Sequence, residues 1–326
     1  MALRWGLLGV ARINRAVIPP LQQSARHELR AVASRDLERA TAEAAKWSIP
    51  RAYGSYEELL ADSEIDVVYI PLPNSLHVDW TIAALRAGKH VLCEKPLALD
   101  LPSLDRMAGE AKAARRVVAE AFMYRHHAQT LKVMELVQAG AVGRLRLVKG
   151  AFSFSIASES DVRLDPALGG GSLRDIGCYP VSYALLVLGE EPLEAAGWQV
   201  TGVSGVDETF VGQLRFPSGV MAQFDCGFRA PFRTQVEIVG SEGTLLVPRP
   251  FKPGLRERLV LTRGDEAEIV DVTGEALYSG EIEDMADAIL LGKPPRVSLE
   301  DSRGTCAALV ALLQSASENR PVRLFG

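Results

Sequence analysis

The feature that most restricts this chain is the alternation, through roughly its first 120 residues, of short apolar runs with longer helix-patterned stretches. Apolar runs at Leu3–Leu8, Leu29–Ala33, Ala52–Tyr53, Asp66–Ile70, His90–Cys93 and Val117–Ala119 read as strands. Between them, Ile13–Ser24, Leu37–Trp47, Tyr56–Ala61, Leu76–Ala87 and Leu101–Ala114 carry helical spacing. Strands spaced by helices of this length form βαβ units. Their right-handed crossovers build a parallel sheet with helices on both faces.

The pattern changes near residue 121. A helix is predicted at Ala128–Gln138 and a strand at Leu145–Ile156, followed by a glycine-rich turn and a helix from Leu173 to Leu188. Strands then follow at Ala196–Val203, Glu208–Phe216, Val220–Phe228, Thr234–Val239 and Gly243–Val247. Turns are predicted at Pro217-Ser218-Gly219 and Ser241-Glu242-Gly243. The expected fold class is therefore α/β: an N-terminal Rossmann parallel sheet over 1–121, then a C-terminal α+β domain over 122–326 with a large, mostly antiparallel open sheet. Helical stretches at Ile282–Leu291 and Thr305–Ser317 are expected to pack back on the first domain.

A length of 326 residues suits two domains, and 48% hydrophobic with 24% charged residues is ordinary for a globular protein. The net charge of −5, with lysines and arginines dispersed, argues against a nucleic-acid surface. Cys93, Cys178, Cys226 and Cys306 are too far apart in sequence for a CxxC site, and no histidine–carboxylate spacing suits a metal. With no signal-peptide anatomy and no membrane span, a cytoplasmic location and reduced thiols are expected.

Between the first strand and first helix, the dinucleotide fingerprint reads Gly9-x-Ala11-x-x-Asn14 and keeps only its first glycine. Amides near Gly9, Ala11, Arg12 and Ile13 would face a pyrophosphate at the helix start, although Asn14 is larger than the usual residue at the helix–strand contact. The second strand ends at Ser34-Arg35-Asp36. Arg35 there can pair with a 2′-phosphate, with Ser34 adding a hydroxyl, while Asp36 is expected to cap the next helix. NADP is therefore the expected cofactor, with NAD as the alternative.

Glu94-Lys95-Pro96 places a lysine at the carboxyl end of a buried parallel strand, where open α/β sheets hold their ligands. With Pro73-Asn74-x-x-His77, the degenerate fingerprint and Gly169-Gly170-Gly171-Ser172-Leu173-x-Asp175-x-Gly177-x-Tyr179, this resembles the Gfo/Idh/MocA oxidoreductase family along nearly the whole chain. Glu120–His127 and Cys178-Tyr179-Pro180 look like the branch containing NADP-dependent D-xylose 1-dehydrogenases and dimeric trans-dihydrodiol dehydrogenases. Many members carry histidine where this chain has Tyr179, which disfavours an inositol dehydrogenase. The resemblance implies that Lys95 lies by nicotinamide and substrate, that Pro96 is commonly cis, and that Pro71, Asn74, His77 and Glu94 line the cofactor. For His77, helix capping is the competing role.

Oxidising a CH–OH group removes a hydride and a proton, and the protein must place and move the proton. Asp175 and Tyr179, four apart on the expected helix, would share a face. A phenol with a free pKa of about 10 needs a cation nearby to serve as base, and Lys95 would supply it. Tyr179 is thus the expected base, Lys95 the tuning cation and Asp175 the group that positions Lys95 or substrate. Arg125 is expected to bind substrate hydroxyls, to orient Asp175, or to form a structural ion pair. The expected substrate is a sugar or polyol, such as an aldose, or a trans-dihydrodiol. The same residues would serve a keto- or anhydrosugar reductase, and the fold also has non-catalytic NADP-sensing members. A homodimer or homotetramer through the C-terminal sheet is expected.

Overall fold

The computed structural model describes residues 2–324. The chain divides into two compact units. The first is the chain up to Met123 together with Tyr278–Leu299; the second is Tyr124–Leu277 together with the chain from Glu300.

In the first unit, strands β1 (Leu3–Leu8), β2 (His27–Ala33), β3 (Arg51–Tyr53), β4 (Val67–Ile70), β5 (His90–Glu94) and β6 (Val118–Ala121) alternate with helices. These are α1 (Asn14–Gln23), α2 (Leu37–Trp47), α3 (Tyr56–Ala61), α4 (His77–Arg86) and α5 (Leu101–Ala114). All six strands are parallel, in the order β3-β2-β1-β4-β5-β6. The continuous apolar runs arise because central strands are covered on both faces: Trp5, Leu7, Leu8 and all of β4 are buried. The helix starts are set by side-chain caps, with Asp36, Ser55 and Asp100 each accepting from first-turn amides of α2, α3 and α5.

The second unit contains α6 (Ala128–Gln138), β7 (Leu145–Ser155), α7 (Cys178–Leu188), β8 (Glu194–Thr201), β9 (Asp207–Arg215), β10 (Met221–Gly227), β11 (Arg229–Gly240), β12 (Thr244–Val247), β13 (Arg256–Arg263) and β14 (Glu266–Thr273). Helix α8 (Ser279–Leu291) belongs to the first unit, and α9 (Leu299–Glu318), from Glu300, and β15 (Val322–Arg323) to the second. The nine strands run β14-β13-β12-β11-β7-β10-β9-β8-β15 and are antiparallel except for the β7–β10 pair. On one face, Gly150 of β7 lets Pro180 of α7 approach so closely that an added Cβ would lie 2.5 Å from the proline. On the opposite face, Trp198, Val211 and Met221 are exposed, with Trp198 directly across from Val211.

Three local differences from the sequence expectation have physical reasons. The terminal helices separate: α9 meets β8 through Ser315, whose hydroxyl accepts from Gly197 N at 3.0 Å, so only α8 joins the first unit. The β13–β14 hairpin escaped prediction because β14 buries only Val272, leaving almost no period-two apolar signal. Finally, Leu173–Gly177 is a π-helical turn ahead of α7, so Asp175 and Tyr179 are not i and i+4 on one regular α-helix. No helix among the described residues is long and apolar enough to cross a membrane.

Candidate active site

The strand order reverses between β1 and β4, which creates a crevice at their carboxyl ends. Gly9 follows β1 with φ +136°, a backbone state that favours glycine, and an added Cβ would lie 3.0 Å from Leu72 Cδ2. Asn14 is fully buried and donates from Nδ2 to Gly9 O at 2.8 Å. Its size is therefore used to pin the turn. No side chain caps α1, so its start, preceded by Ala11, Arg12 and Ile13, suits a phosphate.

At the end of β2, buried Ser34 accepts from Asp36 N at 3.3 Å, and Asp36 accepts from Glu38 N and Arg39 N. Asp36 thus caps α2, while Arg35 and Arg39 are exposed. Both guanidinium groups act on Tyr56, whose phenol burial pushes up and the two arginines pull down. The Tyr56 hydroxyl lies 3.9 Å from where a Cβ on Gly9 would stand. Two cations near the first turn, with the nearby acid committed to a helix cap, form a cradle for a phosphate more than for a ribose diol. Arg39 and Tyr56 went unnoticed in the sequence because their proximity depends on folding α2 and α3 beside β2.

At the ends of β4 and β5, Pro71 and Asn74 precede α4, and the Lys95–Pro96 bond is cis. His77 is fully buried, with Nδ1 2.8 Å from Pro96 O and Nε2 2.8 Å from Leu72 O. The neutral ring donates its single N–H to one of these carbonyls while its other nitrogen faces the second, so His77 sits between the two strand exits instead of offering an open nitrogen to cofactor. Burial holds its pKa below the ordinary value, against the pull of the two carbonyls. Glu94 accepts from the Tyr69 hydroxyl at 2.5 Å, and buried Glu120 accepts from Leu97 N at 2.8 Å, fastening the chain beyond Pro96. A 570 Å³ groove walled by Leu60, Leu76, Trp80 and Ala83 includes none of the residues nominated from sequence.

Lys95 belongs to the first unit; Asp175, Tyr179 and Arg125 belong to the second. Asp175 accepts from Arg163 Nε at 2.9 Å, and Asp175 and Asp161 raise the pKa of that guanidinium. Arg163 sits in the Val162–Leu164 turn, where nothing in the sequence pattern marks it. Tyr179 is 5% exposed and packs among Tyr124, Phe152 and Phe251, with ring centroids 5.4–5.8 Å away. Arg125, also 5% exposed, pairs with Asp301 at 3.2 Å.

The glycine-rich turn before Asp175 is held by Asp207, which accepts from Ser172 Oγ and Leu173 N, each at 2.7 Å. Burial raises the Asp207 pKa against those two bonds and Arg174. Gly171 has φ +118°, and an added Cβ would stand 2.2 Å from Asp207 Oδ1. Asp207 lies over thirty residues downstream, so no local motif reveals this anchor.

The glycine turn, the helix start without a side-chain cap and the paired arginines together fit a phosphorylated dinucleotide. Residues 3–122 match the oxidoreductase family with an NAD-binding Rossmann fold, and residues 130–246 match the GFO/IDH/MocA C-terminal domain. D-xylose 1-dehydrogenase (NADP(+)) 2 of Haloferax volcanii is 38% identical over 99% of this chain and 100% of its own. Trans-1,2-dihydrobenzene-1,2-diol dehydrogenase of Danio rerio is 38% identical over 76% of this chain and 75% of its own. The crystal structure of KijD10, a 3-ketoreductase from Actinomadura kijaniata in complex with NADP and TDP-benzene, superposes with a TM-score of 0.92 at 32% identity, covering 97% of this chain and 98% of that one. With both family regions matched and a relative aligned over nearly its full length, this chain belongs to the Gfo/Idh/MocA family of oxidoreductases.

Proposed function

We propose that the protein transfers a hydride between NADP and a CH–OH carbon of a sugar or related polyol, an aldose or a trans-dihydrodiol. The observation that carries this reading is the phosphate cradle of Gly9, Ser34, Arg35 and Arg39 on the same sheet edge that presents Lys95. When bound, the nicotinamide supplies the hydride chemistry. Tyr179 takes the hydroxyl proton, Asp175 with Arg163 orients substrate hydroxyls, and Lys95 supplies a cation at the nicotinamide end of the first unit. Arg12 and Ile13 hold the pyrophosphate, and Pro71, Asn74 and Glu94 line the nicotinamide end. Arg125, paired with Asp301, supports the substrate side.

Titration with NADPH and NADH, followed by a screen of aldoses and trans-dihydrodiols with NADP and NAD, tests the reading. Absence of nicotinamide binding removes it. A reductase working in the opposite direction on a keto sugar is the second reading, favoured by the likeness to the 3-ketoreductase. Retention of Lys95, Asp175 and Tyr179 weighs against a non-catalytic regulator. The exposed Trp198, Val211 and Met221 support a homodimer or homotetramer built on the open sheet face. The four buried cysteines, none in a disulfide, suit a cytoplasmic setting.

A further inference from the structure

A buried polar cluster adjoins Glu94, the residue before Lys95, and the function proposed above leaves it without a role. Glu281, in the first turn of α8, is 1% exposed, and neither carboxyl oxygen has a hydrogen-bond partner. Its helix packs in one core with Tyr69 of β4 and Tyr278 through Ile282, Met285 and Ala286, and its charge would be felt by Tyr69 and Tyr278 and opposed by Glu94 and Asp284. Arg15 from α1 acts on Tyr278, and Asp284 accepts from Arg296 N at 2.9 Å. Arg26 pairs with Glu283 and Asp287 of the same helix, and His27 lies 3.6 Å from Glu283.

Two carboxyl groups that repel each other, one fully buried and one half-buried, cannot both ionise cheaply. Glu94 Oε1 accepts from the Tyr69 hydroxyl, whereas no donor reaches either oxygen of Glu281. A buried carboxylate without donors is the costlier of the two charges. The negative charge therefore sits on Glu94 and the proton on Glu281. Burial, reinforced by Glu94 and Asp284, pushes the Glu281 carboxyl well above its ordinary range.

We propose that Glu281 is a positioning residue for the Glu94-Lys95-Pro96 turn: as a neutral carboxylic acid it keeps the negative charge of the pair on Glu94, and so holds Tyr69 and the strand exit in register for the cofactor. Ionisation of Glu281 would add a second negative charge near Glu94, at the turn proposed to line the nicotinamide end, and push that turn out of register. The functional half of this inference rests on the NADP-dependent reading; the location of the proton does not.

The test uses the full chain and two variants that cannot ionise at this position, Glu281→Gln and Glu281→Met. Urea unfolding is measured from pH 5 to 8. Above about pH 4.3 an unfolded glutamate has released its proton while the folded one retains it. Wild-type folding constants therefore fall relative to both variants by about tenfold per pH unit. A ratio that stays constant with pH overturns the neutral acid. NADPH affinity, read by fluorescence from neutral pH up to the alkaline limit of wild-type folding, declines in wild type as Glu281 ionises and lacks that decline in both variants. The same pH dependence in all three proteins overturns the positioning role. A wild type that binds no NADPH at any pH overturns the proposed function instead, while the unfolding measurement still locates the proton.

Discussion

Arg163 donates from Nε to Oδ2 of Asp175 at 2.9 Å, within the same unit and across a gap of twelve residues. The acid expected from spacing to serve Lys95 or substrate is thus held by a guanidinium. Arg163→Ala should release it, costing about 1 kcal/mol of stability for so accessible a pair. Under the proposed role, KM for the sugar rises while NADPH affinity stays unchanged. Steady-state kinetics beside fluorescence titration checks both.

Tyr179→Phe removes one hydroxyl from an aromatic cluster and keeps the ring packed against Phe152 and Phe251. The fold should persist. If the hydroxyl moves the substrate proton, kcat should fall roughly a hundred- to ten-thousandfold. A variant with near-wild-type turnover would remove Tyr179 from the chemistry.

Arg35→Ala and Arg39→Ala each remove one of the two cations that act on Tyr56. Each should raise KM for NADP roughly ten- to a hundredfold, the range of one charge-assisted hydrogen bond. KM for NAD should barely move. Equal losses for both cofactors would place the 2′-phosphate elsewhere.

Gly171→Ala forces a Cβ to within 2.2 Å of Asp207 Oδ1 at a φ of +118°. The backbone strain alone costs about 1–3 kcal/mol. Asp207→Ala should destabilise by a similar amount, about 1–3 kcal/mol, by stranding the Ser172 hydroxyl and the Leu173 amide. Thermal unfolding measures both. The double variant should lose less than the sum, since both changes act on one contact.

Asp66 is expected to govern part of the acid stability. Its burial raises its pKa, but the side chain and amide of Arg4 outweigh that and leave it below 3.8. A lowered carboxyl pKa contributes stability above its unfolded value and loses it as the pH falls through the folded one. Asp66→Asn should therefore lower Tm at neutral pH and flatten the decline in Tm below about pH 4. An unchanged acid slope would show that other carboxylates dominate.

Much of the first unit was legible because its signals are local. The bounds of Leu3–Leu8, Leu37–Trp47, Tyr56–Ala61 and Leu101–Ala114 coincide with the observed elements. Both-face burial writes continuous apolar runs, and Asp36 and Asp100 announce helix starts by chemistry that extends over three residues. The β13–β14 hairpin was silent for the opposite reason, since β14 has so little to bury.

The site divides along the same line. Gly9, Arg35 and Lys95 could be nominated from sequence because strand ends in a parallel sheet determine where ligands lie. What His77, Asp175 and Glu281 do could not, because their partners come from distant segments: Pro96 O, Arg163 and Glu94. Sequence by itself determined the alternation of elements, the sheet edge that faces a ligand and the residue types available there. Tertiary structure alone decided which of those side chains are already spent on the protein and which buried acid keeps its proton, since hydrogen bonding and desolvation depend on distances through space.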